Sequence, residues 1–296
     1  MDEVEQIISE MLAAKGYGRA HAARKLEDHK DLRAVAALNK VVADDKEFMP
    51  VQRAAAISLK KIGDSSSIPF LITALKGHWE VRAAALEALS NIADESSIGI
   101  LISALKERKR RHDIVELLGK VKGREKAVPA LIEALEDPDP VIRGLAIKSL
   151  FKTRVFSAVP SIAARLLDKN ENVRVTAVEN LFEFSNISAV PWLLKATSDR
   201  NIVVMHNAFV LLEGICKSCK THEEIADYEK LIKDFLRERR EKPDLAKPSP
   251  RVIMLMSVLA KRRDELASQR DIILGEIPKP PKRGTIYRQM ERVRNG

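Results

Sequence analysis

Cys216-Lys-Ser-Cys219-Lys-Thr-His222 is the stretch of this 296-residue chain whose spacing comes nearest to a metal or redox motif. A structural zinc site takes four Cys or His ligands, normally as two separated pairs. Here one pair stands with His222 as a third ligand and no evident fourth. Cys216, Cys219 and His222 are therefore the candidate metal ligands, while no metal or cofactor is expected. A redox C-x-x-C would sit beside a βαβ pattern, which the chain lacks. The alternative reading is two small residues ending a helix. Two cysteines make no disulfide framework and point to a reducing compartment. None of the 12 glycines builds a phosphate-cradling loop. With no catalytic or metal constellation complete, the chain is not expected to be an enzyme.

Cations are the second kind of chemistry on offer. The net charge is +9, and its placement is uneven. Residues 236–296 hold 16 Lys or Arg against 8 Asp or Glu, whereas residues 1–235 are balanced at 35 against 34. Within the balanced body, Lys106-Glu-Arg108-Lys109-Arg110-Arg111 fills a turn where later repeats place Asp137-Pro-Asp-Pro140 or Asp168-Lys-Asn-Glu-Asn172. That inversion at equivalent positions would set cations along one edge. Lys60, Lys61, Lys120, Lys122, Lys148 and Lys152 lie off the apolar stripe of their helices, with Glu87, Glu116, Glu179 and Glu183 as neighbours. In the tail, Lys279, Lys282, Arg283, Arg288, Arg292 and Arg294 surround a Pro-rich segment, and Tyr287 joins Ile286, Met290 and Val293 in an apolar stripe. Lysines and arginines beside prolines suit backbone phosphates without base specificity. The apolar stripe suits docking on a protein groove.

The elements that position these residues are repeats. Pro69, Gly99, Pro129, Pro160 and Pro191 recur at 30 or 31 residues, each followed two residues on by Leu71, Leu101, Leu131, Ile162 or Leu193. Proline fits the first turn of a helix, where its missing N–H would be unpaired anyway. A second half carries Ala55, Ala85, Ile114, Ala146, Ala177 and Ala208. Four residues on come Leu59, Leu89, Leu118, Leu150, Leu181 and Leu212, and three further Ile62, Ile92, Val121, Thr153, Phe184 and Ile215. Positions i, i+4 and i+7 share a helix face. Each amphipathic half can bury that face only against its neighbours, so the units must stack. Aromatics are 4% of residues against 45% hydrophobic overall, which favours helix–helix packing over a β-sandwich.

This pattern resembles the HEAT repeat in its short, phycobilisome-lyase-like form. The resemblance rests on V-R-x-x-A, an aliphatic residue and Leu, as in residues 81–89 and 173–181, and on the V-P-x-L-I-x-A-L half. It also rests on an Asp six residues before the Arg, in Asp137/Arg143 and Asp168/Arg174. It implies an all-α solenoid, a superhelical stack of antiparallel helix pairs whose second helices line the concave side. It further implies an Asp–Arg ladder between units, lapsing at Gln52 and Met205. Such a resemblance specifies fold and hardly any activity. One HEAT enzyme family, deoxyhypusine hydroxylase, holds two irons with recurring His-Glu dyads. This chain has His222-Glu223 alone, so that activity is not expected. The phycobilin lyases transfer no named catalytic residue. A HEAT-like DNA glycosylase family needs aromatics and an acid facing a basic channel, but Trp79 and Trp192 fall in different repeat halves. Trp79 is expected at an exposed edge and Trp192 between layers.

The expected organisation is an N-terminal helical cap or degenerate repeat over 1–48, with Arg19, Ala22, Ala23 and Leu26 as its unit signature. The array follows over 49–216, then a C-terminal helical cap over 217–277 and a basic arm over 278–296. The acidic opening lacks the basic-then-apolar order of a signal peptide, and no apolar run approaches the ~18 residues of a membrane span. A cytoplasmic protein with no membrane partner is expected. The function expected is a scaffold or adaptor that binds a protein partner along its concave face, the basic arm adding avidity. Two alternatives stay open. One is binding of RNA, DNA or a ribonucleoprotein such as the ribosome; the other is service as an accessory or maturation factor to a cofactor-containing enzyme.

Overall fold

A computed structural model describes residues 2–107, 110–182, 186–241 and 250–273. Every regular element among them is helical. The chain divides into two compact units, residues 1–184 and 185–296. The first unit is a succession of helix pairs: α1 (Glu3–Ala13) with α2 (Gly16–His29), α3 (Val35–Ala43) with α4 (Met49–Ile62), α5 (Ile68–Ala74) with α6 (Trp79–Ile92), α7 (Ile98–Leu105) with α8 (Arg111–Leu118), α9 (Val128–Ala134) with α10 (Pro140–Thr153), and α11 (Val159–Ala164) with α12 (Glu171–Asn180). The second unit holds α13 (Val190–Ala196), α14 (Ile202–Ser218), α15 (His222–Glu241) and α16 (Pro250–Ile273). The all-α repeat architecture read from the sequence is the one observed.

The prolines start helices. Pro69, Pro129, Pro160 and Pro191 each occupy the second residue of α5, α9, α11 and α13. Each of these first helices is entered through a 3₁₀ turn, and so are α3 and α7. Asp31, Asp64, Asp94 and Asn186 open four of the turns by accepting from the backbone N–H two residues on. The last residue of every turn is small: Ala34, Ser67, Ser97, Ala127, Ala158 and Ala189 are all at most 1% exposed. These form a column that the search for Pro and Leu passed over, because alanine and serine carry no pattern alone.

Burial follows the predicted columns. Leu71, Leu101, Leu131 and Leu193 are fully buried, as are Leu59, Leu89, Leu118, Leu181 and Leu212. Each such leucine contributes about 1.5–3 kcal/mol. The small residues opposite let second helices approach closely. Ser58 Oγ, on α4, donates to the Ala23 carbonyl of α2 at 2.7 Å, and Ser149 Oγ, on α10, donates to the Val115 carbonyl of α8 at 2.9 Å. Residues 1–48 pack like the rest: Ala22, Ala23 and Leu26 are fully buried, and α2 lies against α4. The repeat packing thus extends over residues before 49, and the division between compact units falls at 184.

Charged rungs tie neighbouring pairs. Arg143 forms a bidentate pair with Asp168 at 2.8 and 2.6 Å, both side chains 4% exposed. Its Nη1 also donates to the carbonyls of Asp137 and Pro138. Arg111 reaches Asp137 of the next pair through Nη1 alone, and Arg19 reaches Glu47 at 2.5 Å. At the lapse, Gln52 Nε2 donates to the Asp44 carbonyl at 2.6 Å, keeping the backbone half of the contact without the ion pair. Arg19 and Arg111 were not placed on the ladder by the Asp-six-before-Arg rule. Their acceptors lie 28 and 26 residues later, in the next pair.

Candidate partner-binding surfaces

In the second unit, Cys216 and Cys219 are free, buried thiols at the end of α14. Cys219 caps that helix through its N–H on the Cys216 carbonyl, and its sulfur donates to the Ile215 carbonyl at 3.4 Å. Burial pushes the Cys216 thiol up to about 12, and burial raises Cys219 as well. Both therefore stay protonated at neutral pH, the form that neither ligates a metal nor attacks. His222 opens α15 and is exposed. No group of three or more His, Cys, Asp or Glu stands ready to hold a metal among the described residues. Thiol titration checks this. Both cysteines of the folded chain should resist a disulfide reagent at pH 8, and both should react once guanidinium unfolds it. Fast labelling of the native chain would show that the burial is wrong.

The cations sort into paired and unpaired. Arg111, one of the candidate partner-binding residues, is a rung residue held by Asp137. It borders a groove of about 340 Å³ between α7 and α9, where Lys106 is joined by Glu133, Glu136 and Asp137. Acids balance bases there, which does not suit a phosphate. Arg110 is half-buried with φ +65°, and Arg108 and Lys109 lie outside the described residues. Lys60 pairs with Glu87 at 2.9 Å and Lys120 with Glu116 at 2.7 Å. Lys61, Lys122, Lys148 and Lys152 are exposed and make no ion pair among the described residues. The tail candidates Lys279, Lys282, Arg283, Tyr287, Arg288, Arg292 and Arg294 lie outside the described residues, as does the arm 278–296 itself.

One surface escaped the column search. Tyr17, Phe48 and Trp79 stand at the starts of α2, α4 and α6, spaced 31 residues apart, and they are 75%, 43% and 63% exposed. Tyr17 meets Phe48 edge-on with ring centroids 5.2 Å apart. Between α2 and α4 Tyr17 borders a groove of about 250 Å³, lined also by His21, Arg24, Met49, Arg53 and Glu80. Arg53 leans toward Glu80 at 3.7 Å. Trp79 was expected at an exposed edge, and that is its place; Trp192 is half-buried on α13. The spacing was visible in the sequence, but its later members are Arg110 and Val141, so nothing aromatic marks the row beyond the third pair.

Paired helices repeating at 30 or 31 residues, with a buried Ala/Leu second helix and charged rungs between pairs, define an α-solenoid. The sequence model described as HEAT repeats matches residues 4–90, 49–116, 68–151 and 101–170. The chain belongs to the HEAT-repeat family. No curated protein sequence matches it significantly. Among solved structures, an engineered protein is similar at 16% identity, over 95% of this chain and 86% of that one, with a TM-score of 0.44. The complex of CpcE and CpcF of phycocyanin lyase from Nostoc sp. PCC7120 is similar at 19% identity, over 90% of this chain and 95% of that one, with a TM-score of 0.33. Among the described residues no helix is long and apolar enough to cross a membrane.

Proposed function

We propose that this chain is a non-enzymatic scaffold or adaptor of the cytoplasm that holds a protein partner along its second helices, the side that HEAT arrays turn concave. The observation that carries the reading is the row Tyr17, Phe48 and Trp79. Aromatics are 4% of the chain, yet three large rings stand exposed at equivalent places in successive pairs. Exposed aromatic side chains are costly to leave in water and are the usual anchors of protein interfaces. The groove beside Tyr17 mixes apolar and polar lining, with Arg24 as a cation and Arg53 set against Glu80, which suits a segment carrying both apolar and polar side chains. The basic arm 278–296 would add avidity.

Tagged wild-type chain and the variant Tyr17→Ser/Phe48→Ser/Trp79→Ser, both full length, are compared for proteins retained from lysate of the native host. An anchor ring is worth about 2 kcal/mol or more, roughly 30-fold in affinity. The variant should therefore lose the partner, while its urea midpoint stays close to wild type because exposed positions carry little stability. If wild type and variant retain the same proteins in equal amounts, the aromatic row is not the interface.

A further inference from the structure

A different surface lies at the opposite ends of the second helices. Residues 116–126 and 148–154 follow or end α8 and α10, and they hold seven Lys or Arg against two Glu. Residues 1–235 as a whole are balanced, so this is a local excess. The two segments adjoin. Arg124 Nε donates to the Lys152 carbonyl at 2.8 Å, and the Lys148 and Lys152 charges act with Lys120 to hold the Glu116 carboxyl below its ordinary value, the Lys120 hydrogen bond foremost. Glu116 pairs with Lys120, and Glu95 reaches Lys126 from the preceding pair. Lys122, Lys148 and Lys152 remain without an ion pair among the described residues. Each helix C-terminus adds about half a negative charge, so two of them cancel roughly one cation and leave a clear positive excess.

Two exposed aromatic rings follow the C-terminal ends of α10 and α12. Phe156 is 61% exposed just after α10, and Phe182 is 46% exposed just after α12. Phe182 occupies the position of Phe151 one repeat on, and the Arg154 guanidinium stands 6.0 Å from the Phe151 ring centroid. Cations alone would suit any polyanion. Cations together with exposed rings at successive helix ends suit a strand whose bases are free to stack, because every base offers a flat face. Glu179 takes the place of Lys148 on α12, which closes the positive surface at that repeat.

We infer that the C-terminal ends of α8 and α10, with Lys122, Lys148 and Lys152 as phosphate contacts and Phe156 and Phe182 as stacking platforms, bind single-stranded nucleic acid. This site is separate from the aromatic row at the helix starts: α10 spans 14 residues, which puts about 20 Å between its two ends. The two readings stand or fall independently.

The test uses the full chain and a fluorescein-labelled oligouridylate of about 20 nucleotides, a length that spans several contacts. Anisotropy is followed from about 50 to 200 mM salt. Wild type should bind at low salt. Lys122→Gln/Lys148→Gln/Lys152→Gln should weaken binding at least tenfold and lower the log–log salt slope by about 2, since each single-strand phosphate contact carries about 0.7. Phe156→Ser/Phe182→Ser should weaken binding several-fold and leave the slope unchanged. Absence of wild-type binding at low salt overturns the inference. So does unchanged binding in the lysine variant, which would place the contact elsewhere, for example in the arm. Equal affinity for a duplex with no effect of the phenylalanine variant, or displacement by poly-glutamate as effective as by unlabelled strand, would show a general polyanion surface and overturn it as well. Should the triple lysine variant not fold, by circular dichroism, Lys148→Gln/Lys152→Gln and the phenylalanine pair decide the question.

Discussion

Replacing Asp168 by Ala should destabilise the first unit by about 3 kcal/mol, read as a lowered urea midpoint at pH 7. The size follows from what is left behind. Arg143 is 4% exposed and takes both oxygens of Asp168, so removing the carboxylate strands a guanidinium in the stack. Backbone carbonyls of Asp137 and Pro138 still accept from Nη1, which keeps the loss from being larger. The intact pair is itself worth far less than this figure, because two charges were taken from water to make it. The double variant Arg143→Met/Asp168→Leu should accordingly recover most of the loss. A double variant as unstable as Asp168→Ala would refute that account. The pH dependence has a definite sign. Burial works against the Asp168 charge, but the Arg143 guanidinium and the Asn170 N–H outweigh it and hold the carboxyl below its ordinary value. A depressed carboxyl stabilises fully above its unfolded value near 4, and that gain fades as pH falls through the lower folded value. The gap between wild type and Asp168→Asn should therefore narrow as pH drops below about 4.

Gly119→Ala should cost the first unit about 1–3 kcal/mol or more, although alanine is the better helix former. A methyl built there would lie 2.6 Å from Ser149 Cβ and 2.7 Å from its Cα. The second of these is backbone, so α8 must move away from α10 or the helices must bend. Ser149→Ala would not relieve the clash, because Cβ and Cα remain; it would also lose the bond from Ser149 Oγ to the Val115 carbonyl. Adding Ser149→Gly should relieve it in part. Should Gly119→Ala raise the urea midpoint, the close approach of the two helices is disproved. By contrast Gly99 has open space around its Cβ position, and its loss should pass unnoticed.

The architecture was legible because it depends on identity at fixed intervals. Pro at a helix start and Leu in a core each have one job, and both recur. The rungs were half legible. An Asp six residues before an Arg names Arg143, but the partner is an acid some 25 residues further on, in the next pair. That rule therefore missed Arg111, whose acid lies in the next pair. The surfaces were least legible. Tyr17, Phe48 and Trp79 share a spacing but differ in residue type, and exposure leaves no apolar pattern for a search tuned to buried faces. The cations at 120–126 and 148–154 are thirty residues apart in sequence, and only the packing of α8 on α10 makes them one patch.

The rungs are unevenly distributed, and this has a consequence for how the first unit comes apart. Arg19 holds one end, and Arg111 and Arg143 hold the other. In between, Gln52 makes no ion pair and Arg82 has none among the described residues. α8, with 8 residues, also meets α6 only sparingly, where α4 and α6 lie along each other for their length. A linear array held by nearest-neighbour couplings opens at its softest coupling. The chain therefore carries a built-in seam between α6 and α8, on one side of which lies the aromatic row and on the other the cationic patch. Tension on one block can loosen that seam while leaving the other block folded.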